Sequence, residues 1–329
     1  VVVAFSKRIG AVWCQVEQQG AVKQGMETDA GGGGAKKSLL GLPAGTVAGL
    51  ALWMALAAPA QAADDKSQYT LFNPTPDRLL REFTTDRPDM TESPFTVDAG
   101  RVQIGTNLFG HTRSRPDTEG TVSDSYEFGT TNARVGLTNS AEVNVVWQPH
   151  GVVRTRPGDG GETTRQKGVG GLDIRAKYNF WGNDNFEKPG DTALGFLPYV
   201  TFPTDRGNGI SSETVSGGLI VPFAVKLSEK FSLGLNGRLD IVRAEDSTHY
   251  HPEYITSASL SYGWTDQLST YYEIAGRFGT RDPRGEIVIL ATGFAYQVTK
   301  NLQLDAGINI GVTNAADRLN PFVGVSMRF

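Results

Sequence analysis

Charged side chains set two residues apart are the feature of this sequence best suited to chemistry. Asp173, Arg175 and Lys177 alternate with Leu172, Ile174, Ala176, Tyr178 and Phe180. On an extended strand this spacing puts the three charges on one face, successive ones roughly 7 Å apart, and the apolar residues on the other. Such a ladder can offer a basic surface to an anionic or phenolic solute, or it can pair with carboxylates across an enclosed space. The same parity places Arg134, Glu142, Arg238, Asp240, Glu273, Arg277 and Asp305 on the polar faces of their own segments, with Lys226 and Arg328. Seven bases against five acids is too even a balance for strong anion selectivity.

Catalytic and metal-binding readings find little to work with. His249 and His251 flank Tyr250 near Glu245, Asp246 and Glu253, but two imidazoles with no third nitrogen or sulfur ligand make a weak metal site. His111 and His150 have serines nearby, yet no motif joins serine, histidine and carboxylate into a relay. Gly168-Val169-Gly170-Gly171 leads into a strand pattern rather than a helix, so it is no phosphate loop. No catalytic residue, metal or cofactor is expected.

The segment Thr85-Asp86-Arg87-Pro88-Asp89-Met90-Thr91-Glu92-Ser93-Pro94 is charged and stiffened by two prolines. Two placements are open. It can enter an enclosed polar space and pair with the charges there, or it can lie outside and merely order the chain that follows.

The elements that would position these residues are strands. Period-two alternation is cleanest in 301–312, where Leu302, Leu304, Ala306, Ile308 and Ile310 oppose Gln303, Asp305 and Asn309, and in 231–241, where Phe231, Leu233, Leu235, Leu239 and Ile241 oppose Asn236, Arg238 and Asp240. With 171–180 and weaker stretches at 102–111, 130–137, 142–150, 192–203, 214–227, 254–264, 268–278, 287–298 and 322–329, about twelve strands result, the even number of a single-chain outer-membrane barrel. Many run to roughly ten residues, enough to cross a bilayer when tilted, whereas strands of soluble sandwiches average about five or six. Short turns near 138–140, 228–229, 266–267 and 300 alternate with longer polar loops, and 182–190 is an unusually long turn. Phe180, Trp181, Phe231, Trp264, Tyr296 and Phe329 fall at strand ends beside the short turns, as an aromatic girdle would. The expectation is an all-β, antiparallel transmembrane barrel. On this parity Glu127 falls on the lipid face, so its strand must be bulged or must already have left the membrane there.

Composition agrees. With 31 Lys and Arg against 35 Asp and Glu, the chain has no basic excess for neutralising phosphates, so nucleic acid is not an expected partner. A lone Cys14 excludes disulfide frameworks. Lys36-Lys37, an apolar run from 39 to 59 and Ala60-Gln61-Ala62 give 36–62 the order of a secretory signal peptide. Residues 1–35 read as a mis-set start or a disordered extension, 63–100 as a periplasmic or lumen-facing segment, and 101–329 as the barrel.

The 85–94 motif followed by Val97, Gly100 and Gln103, together with Gly168-Val169-Gly170-Gly171-Leu172-Asp173, Lys177-Tyr178 and Pro198-Tyr199-Val200-Thr201-Phe202-Pro203-Thr204, resembles the bacterial outer-membrane transporter family named for the meta pathway of phenol degradation. The resemblance implies an outer-membrane barrel that moves small solutes, aromatic or hydrophobic compounds among them. The chain ends with Val323, Val325, Met327 and Phe329 on one face, which resembles the terminal signal read by the barrel-assembly machinery. Outer-membrane lipid, that machinery and a small-molecule solute are the expected partners. A barrel enzyme or an adhesion scaffold with a closed lumen is the alternative. If the signal peptide is cleaved after Ala62, amino-terminal sequencing of protein from outer membranes should begin at Ala63; a sequence containing residues before Leu39 would defeat that reading.

Overall fold

The computed structural model describes residues 65–243, 249–282 and 284–329. The extension, the signal peptide, Glu245 and Asp246 lie outside the described residues. The fourteen strand segments are β1 Val102–Arg113, β2 Val122–Thr138, β3 Ala141–Trp147, β4 His150–Arg156, β5 Thr164–Gly168, β6 Leu172–Trp181, β7 Thr192–Phe202, β8 Ser216–Lys226, β9 Phe231–Arg243, β10 Tyr250–Gly263, β11 Leu268–Phe278, β12 Ile287–Thr299, β13 Leu302–Gly311 and β14 Leu319–Arg328. β3 and β4 pair with the two halves of β2, and β6 and β5 continue that division on the next position. Fourteen segments therefore make twelve staves, all antiparallel. β14 pairs with β1, and Val102 and Phe329 exchange backbone hydrogen bonds of 3.2 and 2.8 Å, which closes the barrel. Closure leaves no unpaired edge through the lower barrel, as hydrocarbon surroundings demand; β5, at the loop end, pairs with β4 alone.

Alternation sorts the side chains as the sequence suggests. Ile174, Tyr178, Leu239, Ile274, Leu290, Leu304 and Ile310 point outward with 39 to 51% of their surface exposed, although each is apolar. A band of this kind is stable only under hydrocarbon. The six aromatics expected at the girdle are all exposed, and the rings of Phe231, Tyr262 and Trp264 pack in sequence along it. Inside, the wall is not uniformly polar, since Leu197, Ile220, Ile255, Ile287 and Ile289 are buried there.

Glu127 corrects the expected parity. It is 2% exposed and faces the lumen, where it accepts hydrogen bonds from Asn107 and, at 3.1 Å, from Thr130. Gly129 has φ +69°, a conformation that costs glycine little, and it turns the strand over so that residues 127 and 130 share a face. The neighbouring staves switch at the same level: Leu108 and Phe109 are both exposed, and Trp147 and His150 are both exposed with Pro149, which has no N–H to donate, between them. This line of switches also explains why one expected strand at 142–150 is two segments.

Counting from the short turns at about 3.3 Å per residue and a tilt of about 40°, Ile308 and Leu235 lie near mid-height of a 25 Å apolar band and Val312 near its upper rim. Arg at Ile308 or Leu235 should cost about 2–4 kcal/mol and Arg at Val312 about 0–1 kcal/mol, measured by unfolding from bilayers. Equal costs at the three positions would mean that the face or the height is wrongly assigned.

Candidate functional site: a lumen gripped by the amino-terminal segment

The amino-terminal segment fills part of the lumen. Thr70 makes a short bridge to Thr138 at the short-turn end of β2; beyond the 3-10 turn Asp77–Leu79 the chain turns into the barrel, and it returns to β1 at Gly100. Residues 85–94 form the inserted loop, and its contacts decide between the two placements open to it.

Its charges match the wall in both senses. On one side Asp86 meets Lys177 Nζ at 2.9 and 3.0 Å and Arg134 at 3.2 Å. Glu92 meets Arg175 at 2.8 Å, and Arg175 also holds Asp173 at 2.5 Å. Opposite, on β13, Asp305 receives the Arg87 guanidinium at 2.8 Å. On β11, Glu273 accepts from the Met90 N–H at 2.9 Å and the Thr91 hydroxyl at 2.6 Å. The loop thus offers acids to the basic wall and a base with N–H and O–H donors to the acidic one. Ser93 donates to Asp86 at 2.7 Å, and the Pro94 carbonyl accepts from Asn179 at 2.9 Å. Gly324 leaves the room that Arg87 occupies, since a Cβ there would sit 2.0 Å from the guanidinium.

Arg134, Glu142, Asp173, Arg175, Lys177, Arg238, Asp240, Glu273, Arg277 and Asp305 all face inward and are at most 5% exposed. Glu142 accepts from Arg134 at 2.9 Å and from the Val97 N–H at 2.6 Å. Arg238 pairs with Asp240 at 2.6 Å and donates to Tyr199, which itself bonds Asp240. Nearer the outer loops Arg277 pairs with Glu253, and His251 Nε2 lies 3.0 Å from the same carboxylate. His251 is therefore part of an ion cluster with Glu253, and no metal-holding group of His, Cys, Asp or Glu occurs among the described residues. His111 and His150 point outward against Tyr126 and Phe128.

Sequence reasoning missed a clamp at the short-turn end of the barrel. Asp184, in the long turn between β6 and β7, accepts from Arg81 and Lys66, both at 2.8 Å. Burial works against its charge, but Arg81, with Lys66 and Asn139, outweighs that and holds the carboxyl at about 2. Asn183 bonds Thr96, Phe186 packs edge-on against Phe95 at 5.0 Å, and Arg328 donates to the Arg81 carbonyl at 2.8 Å. The length of that turn, visible in the sequence, was the available signal.

Beside the loop, toward β9–β12, remains a cavity of about 270 Å³ lined by Phe83, Thr85, Asp89, Ser232, Ser261 and Tyr271 among others. The buried Tyr271 hydroxyl has no hydrogen-bond partner. Met90 packs apart from this lining, in a buried apolar cluster with Ile255, Ala275, Ile287, Ile289, Ala315 and Ala316.

A family model described as "Putative MetA-pathway of phenol degradation" matches residues 85–329. The COG4313 outer membrane channel from Pseudomonas putida F1 is similar in structure, with a TM-score of 0.55, 16% identity and coverage of 75% of this chain and all of that one. The NanC porin gives a TM-score of 0.44 at 12% identity, covering 68% of this chain and 98% of its own. The former likeness shows the fold of an outer-membrane barrel. A search of curated protein sequences gives no match.

Removing one member of a buried ion pair costs about 3–5 kcal/mol because its partner is left charged and dry. Lys177→Met leaves Asp86 with Arg134 alone and Glu92 and Glu142 without their shared lysine, so the loop's grip should loosen. In a Met90→Cys background, and with no other cysteine in 63–329, maleimide labelling should accelerate at least tenfold. Unchanged labelling would show that the ion pairs do not hold the loop.

Proposed function

The chain belongs to the family described by the MetA-pathway of phenol degradation, and on that premise we propose that it lies in the outer membrane as a narrow channel for small, weakly polar solutes, aromatic compounds among them. The similar Pseudomonas protein is an outer membrane channel, which supports the transport reading. The observation that carries it is the space the inserted loop leaves open. With the loop held to both walls, a cavity of about 270 Å³ remains beside it, lined by the hydroxyls of Ser232, Ser261 and Ser269 and by Phe83 and Leu233. A small apolar ring with one polar group suits that lining, where the serine hydroxyls offer it a hydrogen bond.

A twelve-stave barrel is intermediate between those filled by side chains and those with an open aqueous channel, so an inserted loop suffices to narrow it. The same insertion favours a second reading, a closed scaffold, and conductance separates the two. In planar bilayers the parent should show a small conductance that Ser261→Trp lowers severalfold and Lys177→Met raises. Silence in the parent and in Lys177→Met, with both correctly folded, favours the scaffold.

A further inference from the structure

Above the line of strand switches, the outer surface of four neighbouring staves changes character. Across β1, β2, β4 and β5 the register sets Arg113, Asp124, Arg154 and Arg165 in one row, and His111, Tyr126, Val152 and Lys167 in the row beneath. Arg156 stands one row higher, opposite Val122. These side chains point away from the lumen, because the intervening Val153 is buried against Ile210 on the inner face. Arg154, Arg156, Arg165 and Lys167 are exposed.

The patch holds five permanent positive charges and one carboxylate. Asp124 takes Arg156, Arg113 at 3.6 Å and His111 at 3.1 Å. Arg154 lies over the Tyr126 ring at 5.8 Å, and neither Arg154, Arg165 nor Lys167 meets a carboxylate among the described residues. Asp117 and Asp159, on the adjoining loops, cap backbone N–H groups of those loops instead. Arg154 and Arg165 are direct cross-strand neighbours. Like charges so placed repel and weaken the pairing, unless an anion from outside bridges them.

Height identifies that anion. Asp124 lies fourteen residues beyond the short-turn end of β2 at Thr138, about 35 Å up a strand tilted by about 40°, so about 10 Å above a 25 Å apolar band. Directly below, Phe109, Phe128 and Val323 are exposed on the same face. Cationic forks over an apolar strip match a phosphorylated head group with acyl chains beneath it, and guanidinium groups suit phosphate bidentately.

We propose that this outer patch binds the phosphorylated glycolipid of the outer leaflet, with Arg154, Arg165 and Lys167 on its phosphates. The proposal rests on the outer-membrane reading above, but not on transport. Detergent-purified full-length protein would be titrated with lipid A and with its dephosphorylated form, binding being read by native mass spectrometry. Heat-modifiable mobility and bilayer conductance would be followed on the same samples. Lipid A should bind at least tenfold more tightly than the dephosphorylated form. The variant R154Q/R165Q/K167Q, which leaves the Asp124 pairs in place, should lose that preference while mobility and conductance stay unchanged. Equal binding of the two lipids, retention of the preference by the variant, or displacement of lipid A by millimolar inorganic phosphate would overturn the proposal. Failure of the parent to fold as a heat-modifiable barrel would instead strike the outer-membrane reading.

Discussion

Buried charges that no water can reach must find opposite charges, and in this barrel the amino-terminal loop supplies many of them. Lys177 and Arg175 on β6, with Arg134 on β2, would have only Asp173 and Glu142 of the wall to balance them if Asp86 and Glu92 were absent. Asp305 would stand unpaired opposite Arg87. Taking such ions out of water costs several kcal/mol each, so removing either set leaves the other stranded. The loop and the wall are therefore one folding unit, although they are far apart in the chain. The long turn at 182–191 and Arg328 in the last strand both serve that unit by fixing the inserted segment at the short-turn end of the barrel.

The same constraint shapes what remains of the lumen. On β9–β11 the charges pair among themselves or with the loop, Arg238 with Asp240, Arg277 with Glu253 and Glu273 with Met90 and Thr91, and the cavity beside them presents the hydroxyls of Ser232, Ser261 and Ser269. A passage there has little room for a large solute. The near balance of inner acids and bases thus reflects internal pairing and carries little information about ion selectivity.

The barrel's outer surface is divided as sharply. Below the switches at Leu108, Gly129 and Pro149 it is an apolar band edged by aromatic rings; above them it is cationic on four staves. A one-residue shift in parity exchanges inner and outer faces. The switches are what put Glu127 inside, while Arg154 and Arg156 stand outside above it.

Period-two alternation was enough to specify the twelve staves, their inner and outer faces in the lower barrel, and the ten charged residues of the wall, because the pleat assigns facing from local sequence alone. Asp173, Arg175 and Lys177 could be placed on one inner face without knowing any neighbour. The direction of the 85–94 segment could not be read that way. Its two placements differ only in contacts to residues such as Lys177 and Asp305, which lie 91 and 218 positions from their partners. The parity switch at Gly129 was hidden because a positive φ becomes visible only when the residue is seen opposite Pro149 and beside Leu108. The cationic patch depended on both, since Arg113, Arg154 and Arg165 become neighbours only through strand register, and register is a property of the closed barrel.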